Sequence, residues 1–288
     1  MMTTLWAGLG VGAIYVITAV ALSVPFTVTG VFNFAQPTIL MLATFIAYWA
    51  RAEHEFPLPL VVLLGTVICL VAGGIVETLA VRPLAGKGAH GELVTTLGAS
   101  VIIEGIVLQV WGTDPLRVEV VQPGHPLHVL GGTLLPVELV LIFIAVSVVV
   151  VSHLLLTRTL IGLSCLAAAE DREAAKLRGI DVNRLSLLSF AVAGAMCGAV
   201  GGVVASKTFA VYDLGNGLIV FAFAGLAIGG FGSLKGALVG GLAIGVLQQF
   251  VARYGDANFS RIAIFLLLML VLVIRPNGLF GSNVERAV

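Results

Sequence analysis

The sequence predicts an all-α protein that crosses a bilayer repeatedly: a polytopic transmembrane helix bundle of eight or nine membrane segments, one or two of them broken or re-entrant. Three observations predict it. Hydrophobic residues make up 59% of the 288 and charged residues 10%, and the mean hydropathy is +1.11. A soluble domain is roughly 45–50% apolar and about 25% charged, and a soluble fold of this length has no way to hide so much apolar side chain. The apolar residues come in continuous runs, without the period-two alternation of a membrane β-barrel. Lipid requires every backbone polar group to be paired within the protein, which leaves the helix as the spanning element.

A span takes about 20 apolar residues. The runs that qualify, in order, are Leu5–Val28, Thr38–Ala50 with its preceding turn, Leu58–Val81, Leu93–Trp111, Leu134–Leu156, Leu185–Ser206, Gly217–Phe231, Gly236–Val251 and Ile262–Ile274. The second, seventh and eighth are short, so half-helices are expected among them; non-helical backbone at membrane depth is tolerated where protein or a water-filled cavity surrounds it. The opening residues MMTTLWAGLG carry no charged n-region and run on into apolar sequence, so they read as the first span and not as a cleaved signal.

Orientation follows from Lys and Arg in the loops. With nine spans, Arg82, Lys87, Arg158, Arg172, Lys176, Arg178, Arg184, Lys235, Arg275 and Arg286 share one side, and Arg51, Arg117, Lys207, Arg253 and Arg261 the other. The richer side is cytoplasmic, which puts the C-terminus inside and the N-terminus outside. The loop 112–133 is then extracytoplasmic; His125 and His128 in it have no third ligand nearby, so a solvated loop is expected and not a metal site. Zero net charge without a basic block excludes a nucleic-acid partner. Cys69, Cys165 and Cys197 are too scattered for a disulfide framework, and Cys69 and Cys197 read as small buried hydrophobes.

The cytoplasmic loop 157–184 reads as a short capped helix. Asp171 is a good N-cap, and Glu173 lies in the first turn, where the helix dipole favours an anion. Lys176 and Arg178 lie in the last turn, Gly179 can end the helix in the left-handed conformation, and Asp181 or Asn183 caps the next span. Leu163, Ala167, Ala174 and Leu177 fall near one face. That face can meet the bilayer surface, the protein's own bundle or a groove on a cytoplasmic partner.

The stretch Ala169-Glu170-Asp171-x-x-x-Ala175-x-x-x-Gly179-Ile180 resembles the coupling loop of permease subunits in ABC importers, and nearly the whole chain is similar to the branched-chain amino-acid permeases of the LivH/LivM type. Gly12-Ala-Ile-Tyr15 and Gly30-Val-Phe-Asn33-Phe-Ala35 resemble the family's first segments. Glu77-Thr-Leu-Ala-Val-Arg82-Pro83-Leu84, Thr95-Thr96-Leu-Gly98, the Gly229–Ala237 turn with Gly240-Gly241, and Arg275-Pro276-Asn-Gly278-Leu279-Phe280-Gly281 resemble later ones. One departure stands out: the family usually has His-Gly after Asn-Phe-Ala, and here Gln36-Pro37 follows. Proline fixes φ and removes a donor, so a different backbone, and a solute other than leucine, isoleucine or valine, become readings to weigh.

The resemblance implies a single permease domain over 1–288 in a bacterial inner membrane, multi-pass, forming half of a translocation path. It implies a second homologous permease, two cytoplasmic ATPase subunits and an extracytoplasmic solute-binding protein as partners besides the lipid bilayer. The chain itself is then no enzyme and holds no cofactor; it has no Gly-x-x-x-x-Gly-Lys-Ser/Thr phosphate loop, and Gly230–Gly236 reads as a tight turn. The ATPase-coupling residues implied are Glu170, Asp171, Ala174, Ala175, Leu177, Gly179 and Ile180. Two other readings stay open: a self-sufficient secondary transporter of a small polar solute, and an ABC permease for an amide, urea or another small non-amino-acid solute. A membrane-embedded enzyme ranks last, since no His-Glu-x-x-His or nucleophile elbow is present.

Polar groups inside a span are costly, so each is a candidate for the substrate path. Glu104 is the one carboxylate well within an apolar run, and a hydrogen bond within the bundle is its other use. Asn33 and Gln36 lie at the expected break, where side-chain amides and free backbone groups suit a zwitterion's charges; helix capping by Asn33 competes. Tyr15, Thr95 and Thr96 complete the set, although threonine often bonds back to its own helix. Glu77 is expected to pair with Arg82. Glycines at four-residue spacing, Gly194 to Gly202 and Gly236 to Gly240, are expected to let helices approach closely.

Overall fold

Helices account for nearly all the regular structure, as continuous apolar runs in lipid require. The structure is a computed structural model that describes residues 1–84, 89–121, 125–129, 131–255, 257–275 and 278–280; Lys87, Pro276, Asn277, Gly281 and Arg286, used above, lie outside them. The helices are α1 (Met2–Thr29), α2 (Gln36–Tyr48), α3 (Leu58–Val76), α4 (Ala89–Trp111), α5 (Pro136–Arg158), α6 (Leu160–Glu170), α7 (Arg172–Leu177), α8 (Val182–Thr208), α9 (Leu214–Gly229), α10 (Leu234–Tyr254) and α11 (Ala257–Ile274). Strands β1 (Leu127–Val129) and β2 (Gly132–Leu134) form an antiparallel hairpin with His128 opposite Thr133.

Six helices among the described residues are long and apolar enough to cross a membrane: α1, α3 extended to Leu84, α4 from Gly91, α5, α8 and α10. The chain is therefore an all-α membrane bundle. Segments α9 and Phe259–Ile274 are apolar but shorter, and α2 has 13 residues before a π-helical turn, Trp49–Glu53. Helix α3 likewise runs into a π turn, Glu77–Val81, and a 3₁₀ turn, Arg82–Leu84.

The chain divides into two compact units. One comprises Ala21–Gln122 and Val150–Ile219. Its centre is α2, whose residues from Gln36 to Met41 are all buried. Beside α2, α3 and α8 touch backbone to backbone. A Cβ at Gly194 would lie 2.1 Å from the Cys69 carbonyl oxygen, and one at Gly198 2.1 Å from that of Gly65. Only glycine permits that approach, so the spacing read as a packing motif joins these two helices.

The other unit comprises Met1–Val20, Pro123–Val149 and Val220–Val288. Helix α10 is its spine, with α1 on one glycine edge and α9 on another. A Cβ at Gly245 would lie 2.2 Å from Gly12 Cα, and one at Gly240 1.9 Å from the Gly225 carbonyl oxygen. The turn between α9 and α10 is tight, with Gly230 and Gly232 at φ 104° and 76°, and Ser233 Oγ accepts from Gly236 N at 3.1 Å to cap α10. Leu279 N and Phe280 N donate to the Ile228 and Gly229 carbonyls, which fastens the chain after α11 to the end of α9.

Candidate functional site

The segment 159–184, expected to couple to an ATPase, is built by local capping chemistry. Thr159 is extended and its Oγ1 accepts from Gly162 N at 3.0 Å, starting α6. Asp171 breaks the helix with φ −147° and ψ 106°, and its Oδ1 accepts from Glu173 N and Ala174 N at 2.9 Å each. Helix α7 closes on Gly179 at φ 84°, with Ile180 N donating to the Ala175 carbonyl and Gly179 N to that of Lys176. That pair of bonds is the glycine-terminated C-cap expected of the sequence. Asp181 Oδ1 then caps α8 through Asn183 N and Arg184 N.

Two expectations about this segment need correction. Residues 170–180, expected as one short docking helix, do not form one: Glu170 ends α6, Asp171 caps as expected, and α7 is only Arg172–Leu177. Nor do Leu163, Ala167, Ala174 and Leu177 form the packed face. Leu163 and Ala167 are exposed, Ala174 is half-buried and Leu177 is 90% exposed. The buried residues are Gly162, Cys165, Ala168 and Ala175, and Ala168 and Ala175 meet Val182 with Ile180 and Leu185 packed around them. The break at Asp171 rotates α7 relative to α6, so one apolar stripe cannot run through both.

Beside α7 lies a small polar cavity of about 10 Å³, lined among others by Val31, Glu77, Arg82, Glu92, Arg172 and Asn183. That volume is near the minimum that holds one water. The expected pair is present: Arg82 Nη2 lies 3.0 Å from Glu77 Oε2, and the Glu77 side chain is 2% exposed. Glu92 is buried in the first turn of α4. Arg172 faces it electrostatically, with its Nε buried and without a hydrogen-bond partner among the described residues.

Between α1 and α2 the chain is non-helical over residues 30–35, the break expected of the second segment. Its start, Val31, is level with Asn183 and Ser186 at the cavity. Its end meets Cys197, roughly 16 Å further along α8 at 1.5 Å per residue. Its inner end is enclosed in protein: Asn33, Ala35 and Gln36 are fully buried, whereas Val31, Phe32 and Phe34 are half-buried and Gly30 is exposed. Asn33 Nδ2 donates to Gln36 Oε1 at 3.0 Å, Ala35 N donates to Asn33 Oδ1 at 3.1 Å, and Gln36 Nε2 donates to Cys197 Sγ at 3.2 Å. Pro37 sits in the first turn of α2, where a missing N–H costs nothing.

The other polar candidates each have their own partner. Glu104 accepts from Asn216 Nδ2 at 3.0 and 3.2 Å on its two oxygens. Thr95 Oγ1 donates to the Ala80 carbonyl at 2.6 Å, tying α4 to the π turn after α3. Thr96 Oγ1 bonds back to the Leu93 carbonyl at 3.0 Å. Tyr15, in the other unit, donates to Gln248 Oε1 and packs on Phe221 at 5.2 Å between ring centroids. The structure thus joins Asn33 with Gln36, spreads Thr95, Thr96 and Glu104 along α4, and adds Cys197, Asn216, Gln248, Glu92 and Arg172, which sequence reasoning did not place in a site.

Residues 4–274 match the family model described as "Branched-chain amino acid transport system / permease component". The chain is 28% identical to the high-affinity branched-chain amino acid transport system permease protein BraD of Pseudomonas aeruginosa, over 95% of this chain and 94% of that protein. It is 24% identical to the corresponding LivH protein of Escherichia coli K12, over 95% and 93%. The ribose import permease protein RbsC of Haemophilus influenzae is 26% identical over 77% of this chain and 68% of its own length.

Proposed function

The chain belongs to the branched-chain amino acid transport permease family, and from that premise we propose that it forms half of the translocation path of an ATP-driven importer for branched-chain or related amino acids. In this reading a second homologous permease completes the path, an extracytoplasmic binding protein delivers the solute, and two cytoplasmic ATPase subunits drive it, one of them docking on α7. The observation that carries the docking role is the construction of α7. It is capped at both ends, held by Ala175 on the bundle, and presents Leu177 outward at 90% exposure. An exposed leucine on a rigid peg suits a groove on a soluble partner.

The reading includes a topology in a bacterial inner membrane. The six long helices cross, α2, α9 and α11 are shorter segments, and the C-terminus is cytoplasmic. Within one unit the ends support it. The end of α1, the end of α3, the start of α4 and the start of α8 share the polar cavity. The end of α2 and the chain after α4 meet elsewhere, where Arg51, Glu55, Arg117 and Glu119 line another cavity. Alternating ends of this kind are what successive crossings produce.

A second reading keeps the machinery and changes the solute to a small amide, urea or other non-amino-acid compound; the Gln36-Pro37 departure and the similarity to a ribose import permease favour it. Co-expression with candidate permease, ATPase and binding-protein partners from the same organism tests the proposal. The chain should co-purify with a second permease and two ATPase subunits, and proteoliposomes holding the complex should take up leucine only with ATP and binding protein. Uptake by the chain alone, driven by an ion gradient, would refute the importer. ATP-dependent uptake of an amide in place of leucine would select the second reading.

A further inference from the structure

We propose that Glu92 and Arg172 are positioning residues of a charge latch, with Glu77 and Arg82, through which α7 pulls on the membrane helices; this rests on the importer reading above. Helix α7 has few other holds on the bundle. Its inward face is Ala175 and Arg172, three residues apart and so on one side of the helix. Alanine contacts slide easily. Charge attraction resists sliding, because moving Arg172 away leaves the buried Glu92 carboxylate without its facing cation in a poorly solvated site.

The four charges come from four different elements. Glu77 lies on the π turn after α3, Arg82 on the 3₁₀ turn that follows, Glu92 in the first turn of α4, and Arg172 at the first position of α7. They balance, two negative against two positive. Thr95, one turn beyond Glu92, is itself bonded to the Ala80 carbonyl, so α4 and the π turn move as one body. Val31, at the start of the non-helical stretch that ends in Asn33 and Gln36, lines the same cavity. A displacement of α7 is therefore passed to the ends of α3 and α4 and to the root of the broken segment. π turns and unwound segments are the places where a helix yields most readily.

The test uses the full transporter in proteoliposomes, reading solute uptake per ATP hydrolysed, with assembly followed by co-purification. Glu92→Gln and Arg172→Gln should each lower that ratio about tenfold, inside the 5–150-fold range of ordinary coupling energies. The neutral double variant, Glu92→Gln with Arg172→Gln, leaves no unpaired charge and should assemble, yet stay uncoupled because the attraction is gone. The swapped pair, Glu92→Arg with Arg172→Glu, should recover coupling to within about threefold. The latch is overturned if the single variants couple like wild type. It is overturned equally if the neutral double couples like wild type or does not assemble, since the charges would then serve the fold alone. A wild-type complex without ATP-dependent uptake would instead bring down the importer reading, and the latch with it.

Discussion

Asp171 offers the most direct test of how α7 is held. In the native protein its Oδ1 takes two backbone donors, Glu173 N and Ala174 N, both at 2.9 Å. Asp171→Ala removes both bonds, and water must satisfy the two donors. Loss of such a cap costs about 1 kcal/mol, within roughly 0.5–2. Six residues form too short a helix to persist on its own, so that cost falls on local opening of α7 and not on the whole fold. At about 1.4 kcal/mol per factor of ten, opening becomes about fivefold more frequent. Hydrogen exchange of the detergent-purified protein reads this directly: the Ala175, Arg178 and Ile180 amides, which keep their backbone acceptors, should exchange about fivefold faster, those of Glu173 and Ala174 should lose their protection, and those of α8 should be unchanged. Asp171→Asn keeps the acceptor and loses only the charge at the helix N-terminus, about 0.3–1 kcal/mol, so its effect should be smaller. If the Glu173 and Ala174 amides of Asp171→Ala exchange at the wild-type rate, the capping account of α7 is wrong.

Two further outcomes are expected. Gly198→Ala puts a methyl 2.1 Å from the Gly65 carbonyl oxygen, against backbone that cannot rotate away. It should cost at least about 1–3 kcal/mol and lower the melting temperature, whereas Gly98→Ala, with nothing within 4 Å, should hold or raise it by helix propensity; equal melting temperatures would refute the α3–α8 packing. Burial pushes the Cys165 thiol above its ordinary value. The native protein therefore holds it as the unreactive thiol to higher pH, so maleimide labelling near pH 8 should be slower than in the denatured chain, and equal rates would contradict its burial.

What could be read from the sequence was what depends on near neighbours. Asp171, Gly179 and Asp181 cap helices two to four residues away, and Glu77 finds Arg82 five residues on. Glycine spacing marked α8 and α10 as closely packed, because four-residue periodicity is a property of one helix. The break before α2 was visible as a run too short to span. The separate helix α6 was missed, although its signals, Thr159 three residues before Gly162 and the helix-breaking Asp171, were present. Partner identities were not readable: Gln36 bonds Cys197 161 positions away, Asn216 bonds Glu104 112 away, and Tyr15 bonds Gln248 233 away.

The way the path candidates were chosen explains their fate. Each was selected for being polar inside an apolar run, and lipid makes an unpaired polar group there so costly that nearly all are paired. The criterion therefore finds hydrogen-bonded pairs first. Tyr15, Asn33, Gln36, Thr95, Thr96 and Glu104 each have a partner within the protein. To contact a solute, the Asn33 and Gln36 amides must give up bonds they already make, at about 1 kcal/mol each, so a solute binds there only if it replaces them. The more telling signal is a buried polar atom left over. Arg172 Nε is such an atom. It lies at the end of the helices, on the segment proposed to dock a partner, where an unspent hydrogen bond can be made in one state and broken in the other.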